Sequence, residues 1–357
     1  MDRATVALYE AQSGVYAARR RPQSLALATA LADRRPPGIV ADLGCGPGWY
    51  TEAIGTPVVA VDAAAAMLRL TRAAAPTAWV VQADLDALPF RSGSVAATWA
   101  RNSYVHLRSA EVPVALGDLH RSLALGAPVE ITFFRGEVEG RNVFPDDDFP
   151  GRWFSTWTAE RLRDVVEGAG FALTELEERG HAPGEQGFTV RAERARELPD
   201  VVGPGMRLLV CGLNPSERAA DAGVGFVTPG NRFWPAALAA GIVSRDRAPR
   251  HALVEHALGM TDLVKRATPR ADAITREEYR SGVKRLDRLC AWLQPQTVCM
   301  VGLAGWRAAV DRRATTGWQD HHLGGRPVYV MPSTSGLNAA TPISALVEHL
   351  REASAGS

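Results

Sequence analysis

Short apolar runs rich in β-branched residues alternate with amphipathic stretches through the first part of the chain. The runs are IVADLG, PVVAVD, WVVQAD, VAATWAR and PVEITFF, and the stretches at 63–74 and 109–123 have the length and apolar spacing of helices. This alternation predicts a parallel sheet covered by helices on both faces. A further helix over 158–168 and two strand-like runs, FALTELEE and FTVRAER, extend the region to residue 194.

A second α/β pattern begins in the other half of the chain. RLLVCGL, TVCMVGL and PVYVMP are apolar and β-rich, and helical segments at 276–293 and 342–352 lie between or after them. The stretch RELPDVVGPG, at 196–205, is charged and rich in Pro and Gly, which predicts a linker. The halves share no visible repeat. We therefore expect two unlike α/β domains, over 1–195 and 206–357.

Composition agrees with a globular protein. The 357 residues are 46% apolar and 22% charged, which excludes a disordered chain, and at about 100–200 residues per domain they suffice for two cores. No run approaches the roughly 18 apolar residues of a membrane span, and MDRATVALYEAQ lacks the features of a signal peptide. We expect a monomer in the bacterial-type cytosol or nucleoid, without a membrane partner. Four cysteines without a CxxC pair predict buried thiols and no metal site.

Charge is distributed unequally between the halves. Residues 206–357 hold 19 Lys and Arg against 13 Asp and Glu, a balance of +6, whereas residues 1–205 hold 21 against 26, a balance of −5. The second half is therefore the better candidate for a polyanionic partner.

A glycine-rich turn follows the first predicted strand. IVADL runs into GCGPG, and Gly44, Gly46 and Gly48 let the backbone approach a ligand closely while N–H groups point at it. The dinucleotide fingerprint GxGxxG is incomplete, because its third glycine is missing. Asp62 ends the next strand, where a carboxylate can accept two ribose hydroxyl protons, and Asp84 follows the third, where it can meet an adenine amino group. A glycine turn alone is often only a turn, but these two carboxylates favour a nucleoside-containing cofactor.

On these motifs the first domain resembles the class I S-adenosylmethionine-dependent methyltransferases, over about residues 5–195. DLGCGPG is similar to the family's first motif, VVAVD to its ribose-binding strand end and ADLDALPF to its adenine-contacting segment. LALGAPVE departs from the family's usual Pro-Gly-Gly turn. The resemblance implies a Rossmann-like sheet of seven strands and S-adenosyl-L-methionine as cofactor, with Arg101 or Asn102 near its methionine part. The cofactor-binding residues that it implies are Asp42, Gly44, Gly46, Gly48, Asp62, Asp84, Leu85 and Arg101.

The methyl acceptor is left open by the sequence. After the fourth strand stands ARNSYVH, where methyltransferases acting on nucleic-acid amino groups carry an Asn/Asp-Pro-Pro-aromatic segment, and no Pro-Cys pair exists for cytosine C5 methylation. His106 is compatible with a general base, although a lone His after a strand is more often a structural hydrogen-bonding residue. Methyl transfer needs mainly in-line positioning of two reactants, so a missing base is no objection.

Two loops carry the chemistry of the second domain. Asn214-Pro215 directly follows a buried strand, TPGNRFWPAAL comes shortly after it, and MPSTSGLNA follows a later strand. Because parallel strand ends gather at one edge of a sheet, these loops can border one pocket.

These segments, with GMTDLVKRATPRADAIT and VGLAGWRA, resemble the mismatch-specific uracil/thymine DNA glycosylases of the uracil-DNA glycosylase superfamily, over about residues 206–352. The resemblance implies a smaller α/β/α fold and, as partner, double-stranded DNA containing G·U or G·T mismatches. It implies that Asn214 positions the hydrolytic water, that Phe226 stacks on the extruded base, and that Leu337 fills the vacated space. The implied catalytic residues are Asn214, Ser333 and Ser335, and the implied substrate-binding residues are Phe226, Asn231, Gly336, Leu337 and Asn338.

Residue chemistry favours a slow, broad enzyme. A carboxamide can orient water but cannot act as a base near pH 7, and the loop carries Ser333, Thr334 and Ser335 without a histidine. Ser216 and Glu217 stand after Asn-Pro without the Tyr of strict uracil enzymes, so thymine, 5-substituted and etheno-modified bases are sterically admissible. The small Ala339 puts recognition of the opposite guanine in doubt.

Three functional hypotheses follow. The first is a bifunctional enzyme, a DNA glycosylase fused to a methyltransferase. The second makes the first domain a non-catalytic S-adenosylmethionine sensor or docking module. The third makes the second domain a non-catalytic reader of damaged DNA, against which the intact Asn214 argues.

Overall fold

The protein folds into two compact α/β units. The computed structural model describes residues 1–180 and 186–356. The first unit comprises Met1–Glu167 and Phe171–Ala195, and the second comprises Gly168–Gly170 and Arg196–Ser357. All four cysteines are free and buried, as predicted. Within the described ranges, no helix has the length and apolar character to cross a membrane.

The first unit contains a large, mostly parallel sheet. Its strands are β1 (Ile39–Leu43), β2 (Val58–Asp62), β3 (Trp79–Gln82), β4 (Val95–Ala100), β5 (Pro128–Arg135), β6 (Glu139–Arg141), β7 (Trp153–Trp157), β8 (Phe171–Arg179) and β9 (Gly187–Arg194). The order β3-β2-β1-β4-β5 is parallel, and β9 and then β8 continue it in antiparallel pairing. These seven strands match the predicted runs. The short β6 and β7 add to the end of β5 and have no counterpart in the prediction.

Among the residues described in the first unit, five α-helices accompany this sheet. They are α1 (Arg3–Arg19), α2 (Leu25–Arg34), α3 (Ala65–Ala74), α4 (Val112–Ser122) and α5 (Ala159–Gly168). The last three coincide with predicted helices, since each carries an apolar stripe. Helix α1 escaped prediction because only Thr5 on it is buried, and because its backbone is non-helical at Gln12.

The second unit has a five-stranded sheet. Its strands are β10 (Leu208–Gly212), β11 (Leu258–Asp262), β12 (Thr297–Val301), β13 (Gly317–Leu323) and β14 (Arg326–Met331). The order is β11-β10-β12-β14-β13, and all pairs except β13 with β14 are parallel. The carboxyl ends of β10, β12 and β14 therefore meet at one edge, the arrangement predicted for the two loops.

Six α-helices in the described part of the second unit cover its sheet. They are α6 (Glu217–Ala222), α7 (Phe233–Ala240), α8 (Pro249–His256), α9 (Arg276–Leu293), α10 (Leu303–Ala309) and α11 (Ile343–Ala355). Phe233 and Trp234 of α7 and Leu346 and Leu350 of α11 are buried in one core cluster with Tyr329 of β14. This packing fixes the start of α7 and the end of β14, which both border the candidate site.

The structure corrects the predicted linker at 196–205. Leu198, Asp200 and Val202 are buried, and Val201 forms a two-bond bridge with Met260 of β11, at 2.9 and 2.8 Å. Pro, Gly and charge gave the segment the composition of a linker. Its apolar side chains nevertheless pack into the second unit, which begins at Arg196.

Candidate functional sites

A cavity of about 450 Å³ lies at the carboxyl ends of the first sheet's strands. It is lined by Asp42, Gly44, Gly46, Asp62 and Arg101 among the predicted cofactor-binding residues. Three others, Gly48, Asp84 and Leu85, are not among the described residues that line it. The main-chain turn and the β2 carboxylate thus face one space.

Those three residues have other surroundings. Leu85 is buried, and the Asp84 carboxylate accepts hydrogen bonds from the Met1 amino group at 2.8 and 2.9 Å. A Cβ on Gly48 would lie 2.9 Å from the Thr71 Cα, so this glycine permits close packing of the turn on α3. Direct ligand contact is therefore not visible for this part of the prediction.

The glycine turn is tied to the end of β2. The Gly44 N–H donates to the Val61 carbonyl at 2.8 Å, and the Gly46 N–H donates to Asp62 Oδ2 at 2.9 Å. Gly44 has φ +69°, and a Cβ there would lie 2.2 Å from the Ser103 Cβ. Only glycine fits at that position.

Two carboxyl groups face the cavity, the buried Asp42 and the half-buried Asp62. Burial raises the pKa of Asp62 to about 6, against the opposing effect of N–H donors such as Ala64 at 2.8 Å. Burial likewise raises the pKa of Asp42 to about 7, although Asp42 accepts a hydrogen bond from Thr51 Oγ1 at 2.6 Å. Each carboxylate oxygen of Asp62 keeps acceptor capacity beyond its one backbone bond. The ionised Asp62 carboxylate can therefore accept hydrogen bonds from two hydroxyl groups, as a ribose diol requires.

Arg101 provides a cation at the end of β4. Its Nη1 atom is buried and has no hydrogen-bond partner among the described residues. Burial, aided by the charge of Arg101, lowers the pKa of Arg179 to about 10. Asn102 differs, because its backbone N–H donates to Thr132 Oγ1, which in turn donates to Asn102 Oδ1, both at 2.8 Å. Arg101 is thus the better of the two candidates for an anionic group.

His106 lines the same cavity with both ring nitrogens engaged. Nδ1 lies 2.7 Å from the Trp153 carbonyl, and Nε2 lies 2.9 Å from the Tyr9 hydroxyl. The carbonyl can only accept, so Nδ1 carries the proton and Tyr9 donates to Nε2. Tyr9 accepts in turn from Arg152 at 2.7 Å. Burial lowers the pKa of His106 to about 4, so this geometry favours the structural role over the general base.

Aromatic side chains that were not predicted as site residues also line the cavity of the first unit. Tyr9 and Tyr16 come from α1, and Tyr16 stacks on Trp49 with ring centroids 5.7 Å apart. Phe134 and Phe154 also line the cavity. The available signal was the seven-residue spacing of the two tyrosines, which places them on one helix face.

In the second unit, Asn214 follows β10 with its amide nitrogen fully engaged. Nδ2 donates to Thr268 Oγ1 at 2.7 Å, to the Pro215 carbonyl at 3.1 Å and to the Arg266 carbonyl at 3.2 Å. These acceptors fix the orientation of the carboxamide. Within the described part of the chain, Oδ1 makes no hydrogen bond, so it remains available to accept one.

Thr268 is a positioning residue that the sequence did not reveal. Its Oγ1 accepts from Asn214 and donates to the Arg270 carbonyl at 2.9 Å, and its N–H donates to the Pro215 carbonyl at 3.1 Å. Thr268 thereby connects the segment 268–270 to Asn214 and Pro215. The segment RATPR held this residue, but only its contact with Asn214 distinguishes it from an ordinary turn threonine.

Phe226 is half-buried and has φ +60°. One face stacks on Phe233, with ring centroids 4.3 Å apart and 24° between the planes. The buried Asp262 carboxyl lies beside it, and burial raises its pKa to about 6. The cavity bordered by these two residues measures about 20 Å³.

The Leu337 loop, residues 333–341, follows β14. Leu337 is 97% exposed. Ser333 Oγ accepts from the Ser335 N–H and Ser335 Oγ accepts from the Leu337 N–H, both at 3.3 Å. Asn338 Nδ2 donates to the Ser333 carbonyl at 2.8 Å. Hydroxyls and amide thus hold a compact loop with a bare leucine at its tip.

Two predicted substrate-binding residues have structural contacts. Asn231 Oδ1 accepts from the Phe233 N–H at 2.9 Å and so fixes the start of α7. Gly336 packs on Gly230, where a Cβ would lie 3.1 Å from the Gly230 carbonyl oxygen. Across the described ranges, no group of three or more His, Cys, Asp or Glu side chains is arranged to hold a metal.

Comparison with known families matches both halves of the chain. Residues 199–352 match the family model described as the Uracil DNA glycosylase superfamily. Residues 40–126 match the one described as Methyltransferase domain. The chain therefore contains a methyltransferase domain and a uracil-DNA glycosylase superfamily domain.

Among solved structures, the chain is similar to a 1,6-didemethyltoxoflavin-N1-methyltransferase from Burkholderia thailandensis, with 18% identity and a TM-score of 0.44, over 54% of this chain and 88% of that one. A possible histamine N-methyltransferase from Thermotoga maritima has 14% identity and a TM-score of 0.42, over 53% and 99% of the two chains. A Methanosarcina mazei S-adenosylmethionine-dependent methyltransferase has 15% identity and a TM-score of 0.40, over 44% and 92%.

Proposed function

We propose that the second unit is a hydrolytic DNA glycosylase that excises uracil from mismatched double-stranded DNA, and that the first is an S-adenosylmethionine-dependent methyltransferase. Thymine and modified pyrimidines are further substrates that the residues admit. The orientation of Asn214 carries the glycosylase proposal. Its Nδ2 is held by three acceptors and its Oδ1 is left without one among the described residues.

In this proposal, Asn214 directs the attacking water. Oδ1 accepts a hydrogen bond from the water and so points a lone pair of the water oxygen at the sugar. An amide does not take up a proton near neutral pH, so water captures a sugar whose bond to the base has already largely broken. The reaction is then limited by departure of the base, which makes the enzyme slow.

The departing base carries negative charge that the protein must stabilise. The Leu337 loop offers backbone N–H groups and the hydroxyls of Ser333 and Ser335. Both hydroxyl oxygens accept hydrogen bonds from the loop's own backbone, so their protons are available for donation outward. Donors of this kind act on charge that develops in the transition state.

Extrusion of the base requires a replacement in the stack. Leu337 is the only residue of the loop with a large apolar side chain, and it is 97% exposed. Insertion of an apolar side chain offsets the lost stacking, which amounts to a few kcal/mol. Phe226 supplies the stacking face, and the balance of +6 in residues 206–357 suits a phosphate backbone.

The cavity of the first unit fits S-adenosylmethionine. Asp62 would accept the ribose hydroxyls, the turn at Gly44 and Gly46 would face the cofactor, and Arg101 would bind its carboxylate. When bound, the cofactor supplies a methyl group attached to a sulfonium centre. Binding without transfer, the sensor hypothesis, is the alternative that the transfer experiment below tests.

Cleavage of a uracil-containing duplex tests the glycosylase. The wild-type chain should release uracil opposite guanine under single-turnover conditions, and Asn214→Ala should lower the rate by about 100-fold or more, as loss of an oriented catalytic group does. DNA affinity should hardly change, because phosphate contacts supply most of it. Asn214→Asp should retain excision. Wild-type excision by Asn214→Ala would refute the assignment.

Transfer is tested with S-adenosylmethionine labelled in its methyl group. Incubation with cell extract and separation into nucleic acid, protein and small molecules identifies the acceptor fraction. Binding of the cofactor with no labelled product in any fraction would instead favour the sensor.

A further inference from the structure

Arg232 connects the Leu337 loop to the segment that carries Phe226. Its Nη1 donates to the Thr341 carbonyl at 2.5 Å, and its Nη2 donates to the Asn338 carbonyl at 2.5 Å and to the Ser335 carbonyl at 3.4 Å. One guanidinium therefore contacts three carbonyls of one loop. Neither the sequence motifs nor the proposed function assigns it a role.

The backbone of the same residue makes a fourth bond. The Arg232 N–H donates to the Thr334 carbonyl at 2.9 Å. Next to it the main chains of Gly230 and Gly336 pack so closely that a Cβ on Gly336 would lie 3.1 Å from the Gly230 oxygen. The loop is thus docked on residues 230–232 from its first turn to its last.

The chemistry of these contacts requires arginine. A guanidinium has five N–H donors in a planar fork, and a lysine ammonium is a compact point charge that cannot reach carbonyls spread along a loop. Arg232 forms no ion pair with a carboxylate in the described part of the chain, so its acceptors are the loop carbonyls. Half-burial of its side chain makes these bonds less accessible to water.

A loop that inserts a side chain into DNA benefits from being ordered beforehand. Fixing the backbone of a residue costs conformational entropy, and a loop that is already ordered avoids that loss on binding. The bare Leu337 makes no packing contact that would hold its own loop, since it is 97% exposed. Order must come from the base of the loop, where Arg232 binds.

We infer that Arg232 is a positioning residue that holds the Leu337 loop in the form that enters the duplex. This inference rests on the proposed glycosylase function. The same contact couples insertion of the leucine to stacking on Phe226, because both segments meet at Arg232. Substitution of Arg232 should therefore lower the excision rate on duplex DNA, where the base must be extruded. It should leave the rate unchanged on a single strand, where the base is already unstacked.

The test uses the full chain with Arg232→Lys, Arg232→Gln, Leu337→Ala and the control Arg245→Gln, which removes an exposed arginine of the same unit. Single-turnover excision is measured on uracil opposite guanine in a duplex and on the same uracil strand alone. Both Arg232 variants should lose about 10- to 100-fold on the duplex, because extrusion costs a few kcal/mol. On the single strand, and for the control on both substrates, the change should stay within about twofold.

A double variant sharpens the result. Adding Leu337→Ala to Arg232→Gln should not lower the excision rate on the duplex further, because both changes prevent the same step, insertion of the leucine into the duplex. Full rescue by Arg232→Lys would overturn the inference, since it would mean that the residue acts only as a charge toward phosphate. Equal losses on duplex and single strand would also overturn it.

Hydrogen exchange gives a readout that needs no catalysis. Amide exchange in peptides covering 333–341 should be faster in both Arg232 variants than in wild type and in Arg245→Gln. Unchanged exchange would contradict the inference. Absence of uracil release by the wild type on both substrates would refute the proposed function, and the exchange result would then decide the role of Arg232 separately.

Discussion

The two units present their candidate sites in opposite ways. The first contains a cavity of about 450 Å³ whose lining includes the buried Asp42 and the half-buried Asp62. The second displays its residues on an exposed edge, and the cavity beside Phe226 measures about 20 Å³, close to the space that a single water needs. The first candidate site is therefore a concave cavity, whereas the second is an exposed loop edge.

The polar groups of the two sites are also controlled differently. In the first, burial shifts the pKa of Asp62 and Asp42 to about 6 and 7, so protonation sets their hydrogen-bonding capacity. In the second, neutral or permanently charged groups such as Asn214 and Arg232 are fixed by backbone carbonyls. The carboxyl groups of the first site therefore depend on pH, as does Asp262 beside Phe226, whereas Asn214 and Arg232 are held by their hydrogen-bond geometry.

The largest expected effect follows from removing the buried Asp200 carboxylate of the second unit. Asp200 accepts from Lys265 Nζ at 2.6 Å and from Arg285 Nη1 at 2.7 Å. Asp200→Ala removes the carboxylate that neutralises both buried cations, so the free energy of unfolding of this unit should fall by about 3–5 kcal/mol. Denaturant titration of the full chain measures it, with the exposed Asp246→Ala as control. A loss under about 1 kcal/mol would show that the edge does not depend on this network.

Next in size is the effect of removing the β2 carboxylate. Asp62→Ala should weaken S-adenosylmethionine binding by about tenfold or more, because hydrogen bonds to a charged acceptor contribute about 1.5–3 kcal/mol. Calorimetry with the exposed Asp33→Ala as control measures the change. Equal affinities in wild type and Asp62→Ala would remove Asp62 from the cofactor site.

A smaller effect is expected where only geometry is disturbed. Thr268→Val keeps the shape but removes the hydroxyl that accepts from Asn214. Uracil excision should fall about tenfold, equivalent to one hydrogen bond of about 1.4 kcal/mol, while DNA affinity stays constant. Thr268→Ser should restore the rate, and a rate for Thr268→Val equal to wild type would show that the other two acceptors of Asn214 suffice.

At the first site, the affinity for S-adenosylmethionine should also depend on pH. Burial raises the pKa of Asp62 to about 6, so the carboxylate is present above that pH and lost below it. S-adenosylmethionine affinity should therefore decline by about tenfold between about pH 7 and 5, if only the ionised form binds the ribose. Asp42 titrates in the same range, so Asp62→Asn is the control, and its affinity should be lower and less dependent on pH. A flat wild-type profile would contradict this account of the first site.

Seven strands of the first unit, three strands of the second and five of the eleven described α-helices were predicted, because their apolar periodicity is strong. β1, β2 and β4 are nearly continuous apolar runs, and α3, α4 and α9 carry clear stripes. Helix α1 was missed because its inward face consists mainly of tyrosines that line a cavity, and a cavity wall leaves no core pattern. The linker prediction failed because Pro and Gly describe backbone conformation and give no information on burial.

Candidate binding residues that share one local motif were easier to predict than residues that hold other side chains in place. Gly44, Gly46 and Asp62 belong to one local motif, and the structure brings them to one cavity. Thr268 and Arg232 act through contacts with residues far away in the chain, at separations of 54 and about 100 positions. Such pairs leave no local pattern, so only the folded structure identifies them.

Leu337 makes part of the proposed DNA contact indifferent to ionic strength. Its side chain is 97% exposed, and burying a leucine contributes about 1.5–3 kcal/mol without involving counterions. Arginine and lysine contacts to phosphates, by contrast, weaken steeply as salt rises. Higher salt will therefore release the protein from ordinary duplex more readily than from a site where the leucine has entered the stack. In the proposed function, ionic strength thus sets which fraction of the bound protein lies at lesions and which fraction is distributed along intact DNA.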